Sequence, residues 1–203
     1  MMALTSLKVA PAKCGTCNRP LDAPLFCSNC HALLPADDLG YFELLGVDAR
    51  FDLDTAALRT RFLERARAMH PDRFPDADPH TQQLSIHNSA RLNQAFAVLS
   101  DPVSRAEYLL ELAGGKPSSQ DKRVPPEVLS ESLMVREELE EARQASDAFA
   151  RTRIREQARA RRDQRLHRIA ELARRLPGDE ALRDGLRLEL NAIKYDAKML
   201  EQP

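Results

Sequence analysis

The sequence predicts an all-α protein in three parts: a small N-terminal cysteine knuckle, a compact helical domain built on a hairpin, and a C-terminal antiparallel three-helix bundle. Three observations point there. Ala, Leu, Arg and Glu dominate, aromatic residues make up 5% and Trp is absent, a balance that favours helix over sheet. From Asp38 onward, apolar residues recur at three- and four-residue spacing, the period of helices with one buried face. The four cysteines all lie before residue 31, in two pairs.

The chain has 203 residues, 43% hydrophobic and 30% charged, with a formal net charge of -1. That length suits one domain or two small ones, with apolar material for modest cores. No run approaches the roughly eighteen apolar residues of a membrane span. The opening "MMALTSLKVAPAK" has too short an apolar stretch for a signal peptide and lacks the arginines of a transit peptide. A cytoplasmic protein is the expectation, or a mitochondrial matrix protein if the chain is an already processed eukaryotic one. Near-neutral charge argues against nucleic acid as a partner of the whole chain.

The cysteines read Cys14-x2-Cys17, nine residues, then Cys27-x2-Cys30. Thiols two residues apart on a tight turn can face one centre, and two such turns make a tetrahedron. Zinc takes that geometry with thiolates at about 2.3 Å, and the same shape accepts iron. Two disulfides, or one redox pair, are the alternatives, and disulfides suit a chain without an export signal poorly. His31 could replace a ligand, but with a fourth cysteine present it is expected to be a spectator. Four protein ligands leave no open position, so the site is structural. Metal binding would supply the folding free energy that so short a segment cannot gain by burial.

The helices follow in order. "DDLGYFELLGV" gives a short first helix, with Tyr41, Phe42, Leu44 and Leu45 as its apolar material and Gly46 at its end. "DLDTAALRTRFLERARAMH" gives a second, capped by Asp54, with Leu58, Phe62, Ala66 and Met69 on one stripe. Pro71 stops it, because a residue before proline is pushed out of the α region. "PDRFPDADPHT" is a loop. A third helix spans about Thr81 to Leu99, with Leu84, Asn88, Leu92, Ala95 and Leu99 on its face, and Asp101-Pro102 starts a fourth that ends at Gly114-Gly115. "GGKPSSQDKRVPP" reads as a linker with almost nothing to bury. Beyond it, three helical patterns run from Glu127 to about Phe149, Thr152 to about Leu176 and Asp179 to about Glu201, and short loops force such neighbours antiparallel.

"RARAMHPDRFPDA", residues 65 to 77, places a histidine, a proline and an aspartate at the end of a basic helix. A catalytic reading is weak. Asp72 is separated from His70 by a proline, no serine or cysteine nucleophile stands beside them, and no Gly-rich phosphate loop occurs. The chain is therefore not expected to be an enzyme. His70 could cap the last carbonyls of the helix, but a loop displaying a fixed polar trio suits recognition of another protein. Arg59 and Arg67 lie off the apolar stripe, and Arg73 directly follows the trio.

A basic helix, His-Pro-Asp in a loop and an antiparallel third helix resemble the J-domain of J-type co-chaperones. "YFELLGV", "NQAFAVLSDPVSRAEYLLELAGG" and "LMVREELEE" are similar more narrowly to the HscB (Jac-type) family of iron–sulfur cluster biogenesis. The resemblance runs from Tyr41 to the end, and the double Cys-x2-Cys knuckle is similar to that of the longer, metal-carrying members. It implies a tail and knuckle over 1-36, a J-domain over 37-115, a linker over 116-126 and a scaffold-binding bundle over 127-203. It further implies a co-chaperone that stimulates the ATPase of an HscA/DnaK-type chaperone and brings it an IscU-type scaffold protein, with His70, Pro71 and Asp72 making the triggering contact. Arg59, Arg67 and Arg73 would speed encounter with the chaperone's acidic surface. Arg65 departs from the leucine usual at its place; its stem is expected to pack while its head reaches water or an acid.

In the bundle, the family's scaffold-binding patch maps by "REEL" onto Leu129, Leu133, Glu137 and Glu141, with the aromatic on Tyr195. Ser130 and Met134 stand where a methionine and an acid are common. Read without the resemblance, Leu129 and Leu133 would be bundle core, in competition with Val135 and Leu139. The segment from 151 to 175 carries ten arginines, which taken alone suggests a nucleic-acid surface. Its acidic neighbour helix is expected to pair with it instead, and no aromatic platform accompanies it. The alternatives are a J-protein of another client, separated at Leu129, Leu133 and Tyr195, and a regulator whose cysteines sense metal or oxidant.

Overall fold

The structure, a computed structural model, describes residues 13–21 and 25–201; the tail expected ahead of Lys13 lies outside the described residues. Among these are seven α-helices and no strand longer than an isolated bridge. They are α1 (Tyr41–Leu45), α2 (Thr55–Met69), α3 (Pro79–Ser100), α4 (Pro102–Leu112), α5 (Pro126–Gln144), α6 (Ala148–Arg174) and α7 (Glu180–Glu201), with a single 3-10 turn at Pro71–Arg73. The predicted all-α class holds, and no helix among the described residues is long and apolar enough to cross a membrane.

Helix ends follow their capping residues. The Asp54 carboxylate accepts from the Ala56 and Ala57 amides at 2.9 and 3.0 Å, and Asp101 accepts from Ser104 N–H at 2.7 Å ahead of Pro102. Each satisfies amides that a helix start leaves without partners. Gly46 takes φ +63, and its amide bonds back to the Glu43 carbonyl at 3.0 Å, a turn that a side chain would strain.

The chain forms two compact units. Among the described residues, one holds those up to Ala49 together with Leu53–Ser100; the other holds Arg50–Asp52 and those from Asp101 onward. In the first unit, α3 packs against both α1 and α2. Phe42, Leu44, Leu45, Leu58, Met69, Leu92, Ala95 and Leu99 are buried there, and the Phe62 and Phe96 rings stack at 4.3 Å. In the second unit, α6 and α7 form the broadest contact, α5 packs on both, and α4 joins them as a further helix. Val135, Leu139, Ala142, Ile154, Ala158 and Met199 form one buried cluster. Segment 50–52 is gripped within this unit: Arg105 donates to the Phe51 carbonyl at 2.6 Å, and Arg174 pairs with Asp52 at 2.8 Å.

Several expectations change. The pattern read as one helix to Phe149 breaks after Gln144, because Ser146 adopts φ +54 and Asp147 starts α6 by accepting from Ala150 N–H at 2.9 Å. On α3, Ser85 is fully buried and Leu84 only partly so. The linker is bound, not loose. Asn191 donates to the Asp121 and Arg123 carbonyls at 2.9 Å each, and Arg187 to the Lys116 carbonyl at 2.8 Å. Segments poor in apolar residues can still be fixed through their backbone.

Candidate functional site

Each Cys-x2-Cys turn is built alike. The Asn18 amide donates to Cys14 O at 2.8 Å and Cys14 N–H to Arg19 O at 2.8 Å; in the second turn His31 donates to Cys27 O at 2.8 Å and Cys27 to Ala32 O at 2.9 Å. Asn18 and His31 hold matching left-handed φ values of +59 and +60. His31 is thus a turn residue with an exposed side chain, outside the ligand cluster.

The Sγ atoms of Cys14, Cys17, Cys27 and Cys30 lie within 4.8 Å of one another, and the Cys14–Cys30 and Cys17–Cys27 pairs are 3.6 Å apart. A tetrahedron with metal–thiolate bonds of about 2.3 Å has edges of about 3.8 Å. The thiols are free, which removes the disulfide alternative. Backbone hydrogen bonds at Cys17 and Thr16 hold the Cys14 thiol down to about 6, and one at Arg19 lowers Cys17. A backbone bond at Ala32 pulls Cys30 the same way, yet burial and the three neighbouring thiols push it up to about 12. Thiolates this crowded repel one another unless a cation sits between them. The donor set suits a metal ion held by four thiolates.

His70 leaves α2 with φ -57 and ψ 133, as a residue before proline must. The turn that follows is closed by Arg73 N–H to His70 O and Phe74 N–H to Pro71 O, each 2.9 Å. His70 Nδ1 accepts from the Asp72 amide at 3.3 Å and lies 3.5 Å from Asp72 Oδ2. The imidazole therefore turns forward onto Asp72 and not back over the α2 carbonyls. The His70 and Asp72 side chains are 58% and 88% exposed. Arg59, Arg67 and Arg73 are exposed as well. Arg65 corrects its expectation: its guanidinium donates to the carbonyls of Glu43, at 3.1 Å, and Leu44, while Arg61 donates to that of Gly46. Burial, with Arg61 nearby, holds Arg65 below the usual arginine range.

In the second unit, Val135 and Leu139 take the inward face of α5, which leaves Leu129 and Leu133 42% and 60% exposed. With Tyr195 from α7 they line a groove of about 320 Å³. Glu137 and Glu141 are exposed but stand outside this groove. The charges in its wall are basic, Arg136 and Lys198, and Met199 contributes to the lining. Lys198 and Met199 were missed in the sequence; their position one turn beyond Tyr195 on α7 was the available signal. Two of the α6 arginines pair with acids of α7: Arg165 with Asp196 at 2.7 Å and with Glu189 at 2.9 Å, and Arg168 with Glu189 at 3.1 Å.

Known proteins share this architecture. Residues 124–201 match the family model of the HSCB C-terminal oligomerisation domain. The crystal structure of human co-chaperone protein HscB is similar with a TM-score of 0.78 and 26% identity, over 94% of this chain and 95% of that one. Chaperone HscB from Vibrio cholerae is similar with a TM-score of 0.67 and 29% identity, over 80% of this chain and 93% of that one.

Proposed function

We propose that the chain is an HscB-type co-chaperone that stimulates the ATPase of an HscA/DnaK-type chaperone and delivers an IscU-type scaffold protein to it for iron–sulfur cluster assembly; the family match over 124–201 and the similarity to two HscB structures support this reading. The observation that carries this reading is the His70-Pro71-Asp72 turn, closed on itself by backbone hydrogen bonds and presented to solvent beyond an arginine-bearing helix. A partner surface, and not a small substrate, is what such a turn can meet. Arg59, Arg67 and Arg73 steer that encounter. Leu129, Leu133 and Tyr195 form the apolar centre of the scaffold contact, with Glu137 and Glu141 at its rim, as apolar centres and polar rims are arranged in protein interfaces.

The metal is zinc and its role is structural, since all four tetrahedral positions are taken by cysteine. Elemental analysis of purified protein should return zinc; iron in its place would overturn that identity.

The functional test is ATP hydrolysis by the cognate chaperone, with and without scaffold. Intact protein and scaffold should stimulate synergistically. His70→Gln should abolish stimulation, and the triple variant Leu129→Ala/Leu133→Ala/Tyr195→Ala should lose only the synergy. No stimulation by intact protein would sink the reading. A second reading, a different client for the same trigger, draws on Met134, 54% exposed where the family commonly has an acid. Stimulation without any effect of the scaffold would favour it.

A further inference from the structure

The side of α3 that meets the end of α2 is polar where packing alone would ask for apolar residues. Gln82, Ser85 and Ser89 stand at i, i+3 and i+7, which is one face of a helix. Each reaches a backbone carbonyl at one end of the His-Pro-Asp turn. At the leading end, the fully buried Ser85 hydroxyl donates to Met69 O at 2.5 Å, and Ser89 Oγ approaches the same oxygen at 3.4 Å. Met69 is the last residue of α2, and the amide four residues on, that of Arg73, bonds to His70 O. The helix thus offers this carbonyl no partner of its own. At the trailing end, Gln82 Nε2 donates to Pro75 O at 2.9 Å and to Phe74 O at 3.3 Å.

Between these anchors, His70, Asp72 and Arg73 are exposed. Side chains that bury little cannot fix their own orientation, so the direction in which the turn points is set by what holds its ends. A buried hydroxyl is costly in a core position unless it is hydrogen-bonded, and the bond Ser85 makes is to the residue that introduces the trio.

We infer that Gln82 and Ser85 are positioning residues that hold the two ends of the His70-Pro71-Asp72 turn and so set the rate the trio can trigger once a chaperone is bound. The inference rests on the proposed chaperone-activating role of the trio. Contact groups held out of place act after docking, on the maximal rate, whereas loss of a steering charge acts on encounter.

The experiment uses full-length protein with its metal and a DnaK-type chaperone, titrated to saturation in single-turnover ATP hydrolysis. Gln82→Met keeps the length of the side chain, removes the donor, and sits at a half-buried position that tolerates it. Ser85→Ala removes the hydroxyl, Ile86→Ala is the control on the exposed face of the same helix, and Arg67→Ala is the steering contrast. Hydrogen exchange of the Arg73 and Phe74 amides in the isolated variants reads the turn directly. Gln82→Met and Ser85→Ala should lower the maximal stimulated rate roughly three- to tenfold, less than the roughly hundredfold that a full 1 Å misplacement can cost. Their half-saturating concentrations should move less than about twofold, and both amides should exchange faster, while Ile86→Ala behaves as the parent. Arg67→Ala should do the reverse, raising half-saturation with the maximal rate kept. If Ser85→Ala proves too unstable to assay, Gln82→Met decides alone. An unchanged maximal rate overturns the inference even if exchange is faster, and so does a lower rate with unchanged exchange. If the unmodified protein does not stimulate at all, the co-chaperone reading fails and takes the inference with it; only that arm reports this failure.

Discussion

Arg65 shows how one side chain completes a helix that its own length cannot. α1 has five residues, so nearly all its carbonyls lie in the last turn, where the Gly46 and Val47 amides reach back only to Glu43 and Phe42. Arg65 and Arg61 donate to the carbonyls of Glu43, Leu44 and Gly46, and a cation at a helix C-terminus is favoured by the dipole as well. The leucine usual in J-domains would leave the Leu44 oxygen to water, while the Glu43 oxygen keeps the Gly46 amide and the Gly46 oxygen keeps Arg61. Arg65→Leu should therefore cost about 1.5–3 kcal/mol in urea unfolding, as for loss of a charged hydrogen bond. Gly46 lies against the same guanidinium: a Cβ there would collide with Arg65 Nη2, and its φ is +63. Gly46→Ala should cost about 1–3 kcal/mol from left-handed strain together with that collision. In the Arg65→Leu background the collision is gone, so the two costs should fall short of their sum. Strict additivity would show that the two residues do not share the space.

At the scale of elements, two of the α6 arginines, Arg165 and Arg168, tie that helix to acids of α7. The Arg165 side chain, 8% exposed, sits between Asp196, 2% exposed, and Glu189. Removing one member of a buried ion pair strands the other, at about 3–5 kcal/mol. Arg165→Met should lose that much in chemical denaturation, and Arg165→Met/Asp196→Leu should recover most of it, because two apolar groups carry no stranded charge. An equal loss in both would assign the effect to packing. Helix ends marked by Asp54, Gly46, Asp101 and Pro102 were legible because a cap is local chemistry. The α5–α6 break was not, since Ser146 and Asp147 stand in a helix-like run and the break depends on one left-handed serine. The fixed linker was illegible for another reason: its partners, Asn191 and Arg187, are 68 to 71 residues away. Within it, the Arg123 side chain holds the Asp121 carboxyl down to about 2. A depressed carboxyl adds stability that is complete above its ordinary value near 3.8 and lost as pH falls toward 2. With Arg123 56% exposed, the contribution is on the order of 1–2 kcal/mol. Asp121→Asn should flatten stability between those two pH values, and an unchanged slope would mean that other carboxyls carry the acid limb.

Over the whole molecule, the parts that could be read ahead were those whose chemistry is written in spacing. Cys14 to Cys30 needed only two short turns, and the trio is contiguous. The groove needed α7 to meet α5, so Tyr195 came from resemblance while Lys198 and Met199 went unseen. The knuckle also raises the question of how far its metal supports the rest. Leu25 and Ala36 are fully buried, yet among the described residues the polar ties to α3 follow the second cysteine pair: Asn88 donates to Leu34 O at 2.8 Å, His87 meets Asp37 at 2.8 Å, and Arg91 donates to Leu39 O at 2.9 Å. The cysteine turns themselves contain no helix. Stripping the metal with a chelator should therefore free residues 13–33 while the chain from Leu34 onward stays docked on α3. Helical circular dichroism should be unchanged, and trypsin should cut rapidly after Lys13, where the Cys14 amide of the scissile bond is otherwise held by the Arg19 carbonyl at 2.8 Å. A collapse of the helical signal with the metal would mean instead that Leu25 and its neighbours are part of the core on which α1–α3 depend.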